Sequence, residues 1–290
     1  MWKMAGFREQ LGTKASLRLM SAHSPLSAKL VMEAGFDGVW ASGFELSALY
    51  GLADVSLLSM TQHLDMVRAM VERTGAPLLA DLDTGFGNAV NVDYAVRQYA
   101  AAGVSAIVIE DKVFPKVTSL AEGVRQELLR VEEFQGKVAA AKAALEGQDV
   151  LVIARTEALI AGAGEAEALR RAHAYEAAGA DLIFVHSKSS SPAEVMSFAR
   201  AWTGAAPIAV VPTSYPSFGR REQAEAPNIR MVIYGNHSLR AAVSGMRGTL
   251  AQIHADGDSL AVEAEIATVE DVFRLQDMDG VKRVEKTYLR

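Results

Sequence analysis

Eight short apolar runs recur along the chain, at 17–22, the end of 33–42, 77–83, the end of 101–111, 150–156, the end of 177–187, 208–213 and 231–236. They are apolar at consecutive rather than alternating positions, the pattern of parallel strands covered on both faces. Three share a longer motif: EAGFDGVWAS (33–42), AAGVSAIVIED (101–111) and AAGADLIFVHS (177–187). Each reads as a helix end, a glycine, a short connection and an apolar run closing on a polar residue. Gly35, Gly103 and Gly179 fit the position just past a helix C-terminus, where φ is positive and a Cβ is penalised. Between the runs, VNVDYAVRQYAAAG and GEAEALRRAHAYEAAG place apolar residues at i, i+3/i+4, the helical period.

Strand and helix alternating eight times predict an α/β fold, a closed (β/α)8 barrel of the TIM type, with an open doubly wound sheet as the rival. Residues 238–290 follow the eighth run, helical over 238–257 and again near 268–277. That is more than one closing helix needs. The expected organisation is a single barrel domain over 1–290, with 238–290 as a helical extension whose surplus packs on a partner subunit. The polar stretches 186–192 and 212–228 read as loops after strands six and seven, not as domain boundaries.

Composition narrows the partners. Half of the 290 residues are hydrophobic, enough for a large core, and the net charge of −6 argues against nucleic acid or an anionic membrane. The chain has no cysteine, which excludes disulfides, thiolate metal sites and a thiol nucleophile. No run approaches a membrane span and the first residues show no signal-peptide pattern, so a soluble cytoplasmic protein is expected.

Barrel enzymes gather their chemistry at the C-terminal strand ends. Those ends carry Ser42, Asp81, Asp83, Glu110 to Lys112, Arg155, Glu157, His186, Thr213 and Asn236. Asp81 and Asp83 repel unless a cation, a donor or a proton separates them. With Glu110 they offer an all-oxygen set suited to a hard cation such as Mg2+. Alternatively, Asp83 caps the following helix. Ser42, Gly43 and Phe44 offer a hydroxyl and backbone N–H groups to an anion, or Ser42 is a plain helix cap. Arg155 suits a carboxylate or enolate oxygen, with Glu157 as its counter-ion. His186 can act as acid, base or donor, whereas His23, His63, His173 and His254 read as structural or surface residues. The stretch EDKVFPKVTSL (110–120) puts Lys112, Lys116, Thr118 and Ser119 on a loop able to close over an anionic substrate.

WASGFELSA, DLDTGFGNAVNV, EDKVFPKVTSL, EEFQGK, IARTEALI and VPTSYP occur in this order over roughly residues 15–245. Together they resemble the phosphoenolpyruvate mutase / isocitrate lyase superfamily. The resemblance implies a barrel whose last helix swaps between subunits of a homodimer, with dimers pairing into a homotetramer. It implies Mg2+, with Mn2+ or Co2+ as substitutes, held largely through waters at Asp81, Asp83 and Glu110. Trp40, Ser42, Gly43, Phe44 and Ser119 match substrate-binding positions. Arg155 and His186 match positions on the enolate oxygen and phosphoryl group, Asp54 an Asp near the transferring phosphorus, and Lys116 and Thr118 the gating loop.

The lyases of this superfamily resemble one another in a loop cysteine that this chain lacks. The mutases carry Asn where this chain has Thr118, followed by Ser119. The implied activity is Mg2+-dependent hydrolysis of the phosphorus–carbon bond of phosphonopyruvate, by direct water attack or through Asp54. The alternative is a mutase interconverting phosphonopyruvate and phosphoenolpyruvate. A silent barrel that senses such anions is a third reading, which the retained acids and bases argue against. The expected partner is a small phosphonate, with no nucleic acid and no membrane.

Overall fold

The computed structural model describes residues 5–121 and 123–289. Its strands are β1 (Leu17–Ala22), β2 (Gly38–Ala41), β3 (Leu78–Asp81), β4 (Ala106–Glu110), β5 (Leu151–Thr156), β6 (Leu182–Val185), β7 (Ile208–Val210) and β8 (Ile229–Tyr234). They pair in sequence order and close into a barrel. All pairings are parallel, and β8 meets β1 with Leu17 opposite Met231 and Leu19 opposite Ile233. The closed ring excludes the open-sheet alternative.

The helices of the first part are α1 (Phe7–Thr13), α2 (Pro25–Glu33), α3 (Gly43–Leu49), α4 (Met60–Thr74), α5 (Ala89–Ala101) and α6 (Val131–Ala144). They continue as α7 (Glu165–Ala177), α8 (Ala193–Ala201), α9 (Arg220–Glu225), α10 (His237–Asp256), α11 (Val269–Leu275) and α12 (Met278–Tyr288). Two units divide the chain, Met1–His237 and Ser238–Arg290. Among the described residues no helix is long and apolar enough to cross a membrane.

The runs are apolar on both faces because the barrel wall separates two cores. Leu19, Leu79, Val108, Ile153, Phe184 and Met231 fill the barrel. Their strand neighbours Leu78, Ile107, Val152, Ile183 and Val232 pack outward with Val96, Phe134 and Tyr175 of the helices. The two sets follow from the period of two along a strand. Phe7 of α1 belongs to the inner cluster and closes the end of the barrel where the strands begin.

Local signals hold in detail. Gly35, Gly103 and Gly179 adopt φ of 83°, 87° and 101°, each just past a helix. Three elements lie beyond what the pattern predicted. The first is α1, ahead of β1. The 212–228 connection contains the short α9, and α12 extends the C-terminal helices past 277. Val281, Val284 and Tyr288 at i, i+3, i+7 were the available signal for α12. The helix after β3 is capped by Asn88, whose side chain accepts from the Val90 N–H at 2.9 Å, so Asp83 is not its cap.

Gly38 opens β2 against the plug. A Cβ there would lie 2.4 Å from Phe7 Cε1 and 2.8 Å from the Pro77 carbonyl oxygen. Gly38→Ala is therefore expected to lower stability by about 1–3 kcal/mol through overpacking, read as a lower urea midpoint. An unchanged midpoint would show that α1 does not seal the barrel tightly.

Candidate active site

Alternation places the functional groups. At the end of β4, Glu110 turns toward the mouth, Asp111 turns outward to α7, and Lys112 turns back inward. Asp81 ends β3 and accepts from the N–H groups of Asp83 (3.2 Å) and Gly43 (3.3 Å). Asp83 follows in the left-handed region at φ 52°. Ser42 caps α3, its hydroxyl accepting from the Glu45 N–H at 3.5 Å, and also faces the mouth. The helix-cap reading of Ser42 therefore holds, and its place at the cavity leaves it within reach of a bound anion.

The loop after β4 is fastened at its base, where Val113 N–H donates to Glu127 O (3.0 Å) and Leu129 N–H to Asp111 O (2.9 Å). Lys116 reaches from it into a nest of acids. Its ammonium lies 2.9 Å from Asp54 Oδ1 and 2.6 Å from Asp83 Oδ1, ion contacts without hydrogen-bond alignment. Its backbone N–H donates to Ser56 Oγ at 3.0 Å. Arg155, next to last in β5, lies 2.6 Å from Glu157 Oε1 and 3.3 Å from Glu110 Oε2. Its Nη2 reaches Ser119 Oγ at 3.0 Å and His186 Nδ1 at 2.8 Å.

These side chains surround a cavity of about 60 Å3. Of the predicted residues, Trp40, Ser42, Phe44, Asp54, Asp81, Lys116, Thr118, Ser119, Arg155 and His186 line it. Gly43, Asp83 and Glu110 do not: the Gly43 N–H is turned to Asp81, and Asp83 and Glu110 sit behind the lining, against Lys116 and Arg155. Thr213 and Asn236 line the cavity as strand ends should. Leu120, Val211 and Gly235 complete it without having been singled out. Being apolar, they carried no chemical signal, although a glycine straight after a barrel strand hints at close packing. A Cβ on Gly235 would meet Trp40 Cζ3 and Thr213 Oγ1, each at 3.1 Å.

Burial and crowding set the charges. Burial raises the Asp83 carboxyl to about 7, with Lys116 opposing and Asp81, Asp54 and Glu110 adding to the rise. Burial likewise raises Asp81, although Lys116 and Arg155 pull it down. Burial alone would lower Lys116 and Arg155, but the surrounding carboxylates outweigh it and hold both cations charged. Burial lowers His186, helped by Arg155, so its imidazole is neutral near pH 7.

The acids fit a hard divalent cation. Their donors are all oxygen, their mutual crowding is what a cation relieves, and Glu110 Oε1 is buried without a hydrogen-bond partner. Among the described residues no three acidic or histidine side chains form a ready-made cage.

The phosphoenolpyruvate phosphomutase family model matches residues 7–254. Phosphonopyruvate hydrolase of Variovorax sp. (strain Pal2) is 50% identical over 290 residues, 100% of both chains. The crystal structure of a phosphonopyruvate hydrolase complex with oxalate and Mg2+ superposes with a TM-score of 0.92 at 49% identity, covering 98% of each chain. That of phosphoenolpyruvate phosphomutase from Streptomyces platensis subsp. rosaceus superposes with a TM-score of 0.95 at 46% identity, again over 98% of each.

His63 of α4 is structural: it is 3% exposed, and its Nδ1 lies 2.7 Å from the Tyr99 hydroxyl. Burial, then Lys116, lowers its pKa from 6.5 to about 3. Between those values the unfolded chain binds a proton that the folded chain refuses. Stability should therefore fall as pH drops below 6.5, with a contribution approaching about 1.4 kcal/mol per pH unit. Urea midpoints against pH should fall less steeply in His63→Gln than in the wild type; parallel curves would contradict the assignment.

Proposed function

The chain belongs to the phosphoenolpyruvate phosphomutase family, and from that membership we propose that it hydrolyses the phosphorus–carbon bond of phosphonopyruvate, giving pyruvate and phosphate, with Mg2+ as its cation. One cavity brings Asp54, Lys116, Thr118, Arg155 and His186 together, in a chain 50% identical over its full length to a phosphonopyruvate hydrolase; this carries the assignment.

In the proposed reaction water attacks phosphorus, the P–C bond breaks, and its electron pair moves into the enolate of pyruvate. The enolate then takes a proton at carbon. Such transfer is mostly positioning and charge stabilisation. Arg155 offsets the charge growing on the enolate oxygen. Neutral His186 donates to a phosphoryl oxygen, and Lys116 with Asp54 keeps the phosphoryl end oriented. Asp81, Asp83 and Glu110 would hold Mg2+, which when bound supplies hard positive charge favouring the enolate. Thr118 lines the cavity, and its carbonyl accepts from Gln126 Nε2 at 3.1 Å, which steadies the residue. Its hydroxyl can accept a hydrogen bond from water and so aim a lone pair of that water at phosphorus.

A mutase is the second reading, favoured by the TM-score of 0.95 to a phosphomutase. Following phosphonopyruvate by 31P NMR separates the two. Free phosphate is expected, none of it in excess chelator; accumulation of phosphoenolpyruvate would overturn the hydrolase assignment, and full turnover in chelator the metal.

Thr118→Ala should lower kcat by about 10²–10⁴, the weight of one orienting group, and change KM far less. Thr118→Asn should lose hydrolysis. A near wild-type kcat for Thr118→Ala would remove the water-positioning role.

We propose further that the protein is a homodimer or homotetramer built through its C-terminal helices. Val243, Met246 and Leu250 of α10 are exposed at i, i+3, i+7, as are Val281, Val284 and Tyr288 of α12. Light scattering at micromolar concentration should give two or four chain masses; a monomer would contradict the proposal.

A further inference from the structure

Glu157 is completely buried, and its carboxylate is divided between two tasks. Oε1 accepts from Arg155 Nε at 2.6 Å and lies 3.1 Å from His186 Nδ1. Oε2 accepts from the Ser119 hydroxyl at 2.5 Å and lies 3.0 Å from Lys112 Nζ. One oxygen thus serves the groups at the cavity, and the other serves the loop. Lys112 adds to the loop side by donating to Val117 O (2.8 Å) and Ser119 Oγ (2.7 Å).

The backbone that presents this carboxylate is held from behind. The Glu157 N–H donates to Asp111 Oδ1 at 2.8 Å. Asp111 Oδ2 accepts from the Tyr175 hydroxyl (2.6 Å), Arg171 Nη1 (3.1 Å) and the Thr156 hydroxyl (3.1 Å). Asp111, the outward half of the Glu110–Asp111 pair, therefore anchors the backbone that presents Glu157.

We propose that Glu157 is a positioning residue that couples seating of the 113–121 loop to the orientation of Arg155 and His186. The proposal rests on the assignment of this cavity as the phosphonopyruvate site. Seated, Ser119 donates to Glu157 and accepts from Arg155 Nη2 at 3.0 Å. Arg155 is then held on Nε by Glu157 and Glu110 and on Nη2 by Ser119 and His186. With the loop away the Ser119 contact is lost, and the Nη2 end, left with His186 alone, is free to shift.

His186 follows Arg155. Its Nδ1 lies 2.8 Å from Arg155 Nη2, and arginine only donates. A seated Arg155 therefore makes Nδ1 the acceptor and keeps the imidazole proton on Nε2, a donor for the cavity. A displaced Arg155 leaves Nδ1–H to Glu157 and reverses the role of Nε2. The donor set is thus complete only when the loop excludes bulk water, which is when a reactive enolate can be formed without waste.

The test uses the full-length protein, Glu157→Gln, Ser119→Ala and their double variant. Lys116 is buried when the loop is seated, so trypsin cleavage after it reports loop opening without substrate. Each single variant should be cleaved about tenfold faster, the weight of one buried hydrogen bond. Each should lose about 10–100-fold in kcat with KM changed less than about threefold. The double variant should be no worse than Glu157→Gln alone, since both changes break one linkage. The 15N shifts of His186 should report a proton on Nε2 in the wild type and a mixture in Ser119→Ala.

Multiplicative losses in the double variant would overturn the coupling, as would Glu157→Gln cleavage at the wild-type rate. If Glu157→Gln does not fold, Ser119→Ala decides: wild-type cleavage with an unchanged His186 tautomer overturns the proposal. A wild-type protein inert toward phosphonopyruvate would overturn the functional assignment instead. The cleavage and tautomer measurements would still read the coupling.

Discussion

Buried charge at the mouth of the barrel is the constraint on which the rest depends. Asp54, Asp81, Glu110 and Glu157 are each less than a tenth exposed, as are Lys112, Lys116 and Arg155. Taking such groups out of water costs several kcal/mol apiece unless each finds an opposite charge in good geometry. The mouth meets this by interleaving: Lys116 between Asp54 and Asp83, Arg155 between Glu110 and Glu157, Lys112 on the far oxygen of Glu157. The same pairing that makes the cluster tolerable also preorganises positive charge where an enolate and a phosphoryl group would develop theirs.

The barrel makes this arrangement possible because its wall is apolar on both sides. Every strand spends its middle on the two cores, so its polar residues gather toward its ends, as Arg18 and Arg230 do near the starts of β1 and β8. Eight strand ends therefore bring polar groups from distant parts of the sequence to one opening. Alternation then sorts neighbours, as at Glu110, Asp111 and Lys112, where the middle residue braces the scaffold and its neighbours face the site. The arrangement is rigid where strands end and adjustable where the 113–121 loop meets it, as exclusion of bulk water from a reactive intermediate requires.

Much of the fold was legible in the chain. Consecutive apolar residues marked the strands, glycines past the helix ends marked the returns, and the order of elements pointed to closure. Most of the cavity lining was legible too, because polar residues ending apolar runs have few structural uses. The apolar lining, Val211, Gly235 and Leu120, was not, since a residue that shapes a cavity by size looks like any core residue. The short α1 and α9 and the final α12 escaped because a few helical turns rich in charge carry little periodic signal.

The sequence by itself determined the strands, their two-faced burial, the strand-end positions of the acids, bases and hydroxyls, and the absence of thiol chemistry. These are local properties, set by the side chains within one element. Tertiary structure alone decided which of those groups touch. It put Lys116 rather than open solvent beside Asp83, turned the Gly43 N–H to Asp81, and sent Asp111 away from the site to hold Glu157. The division of the Glu157 carboxylate between loop and cavity joins residues up to 45 positions from it on one buried atom pair. Nothing in their spacing along the chain predicts it, because the distances are set by how neighbouring strands register in the closed ring.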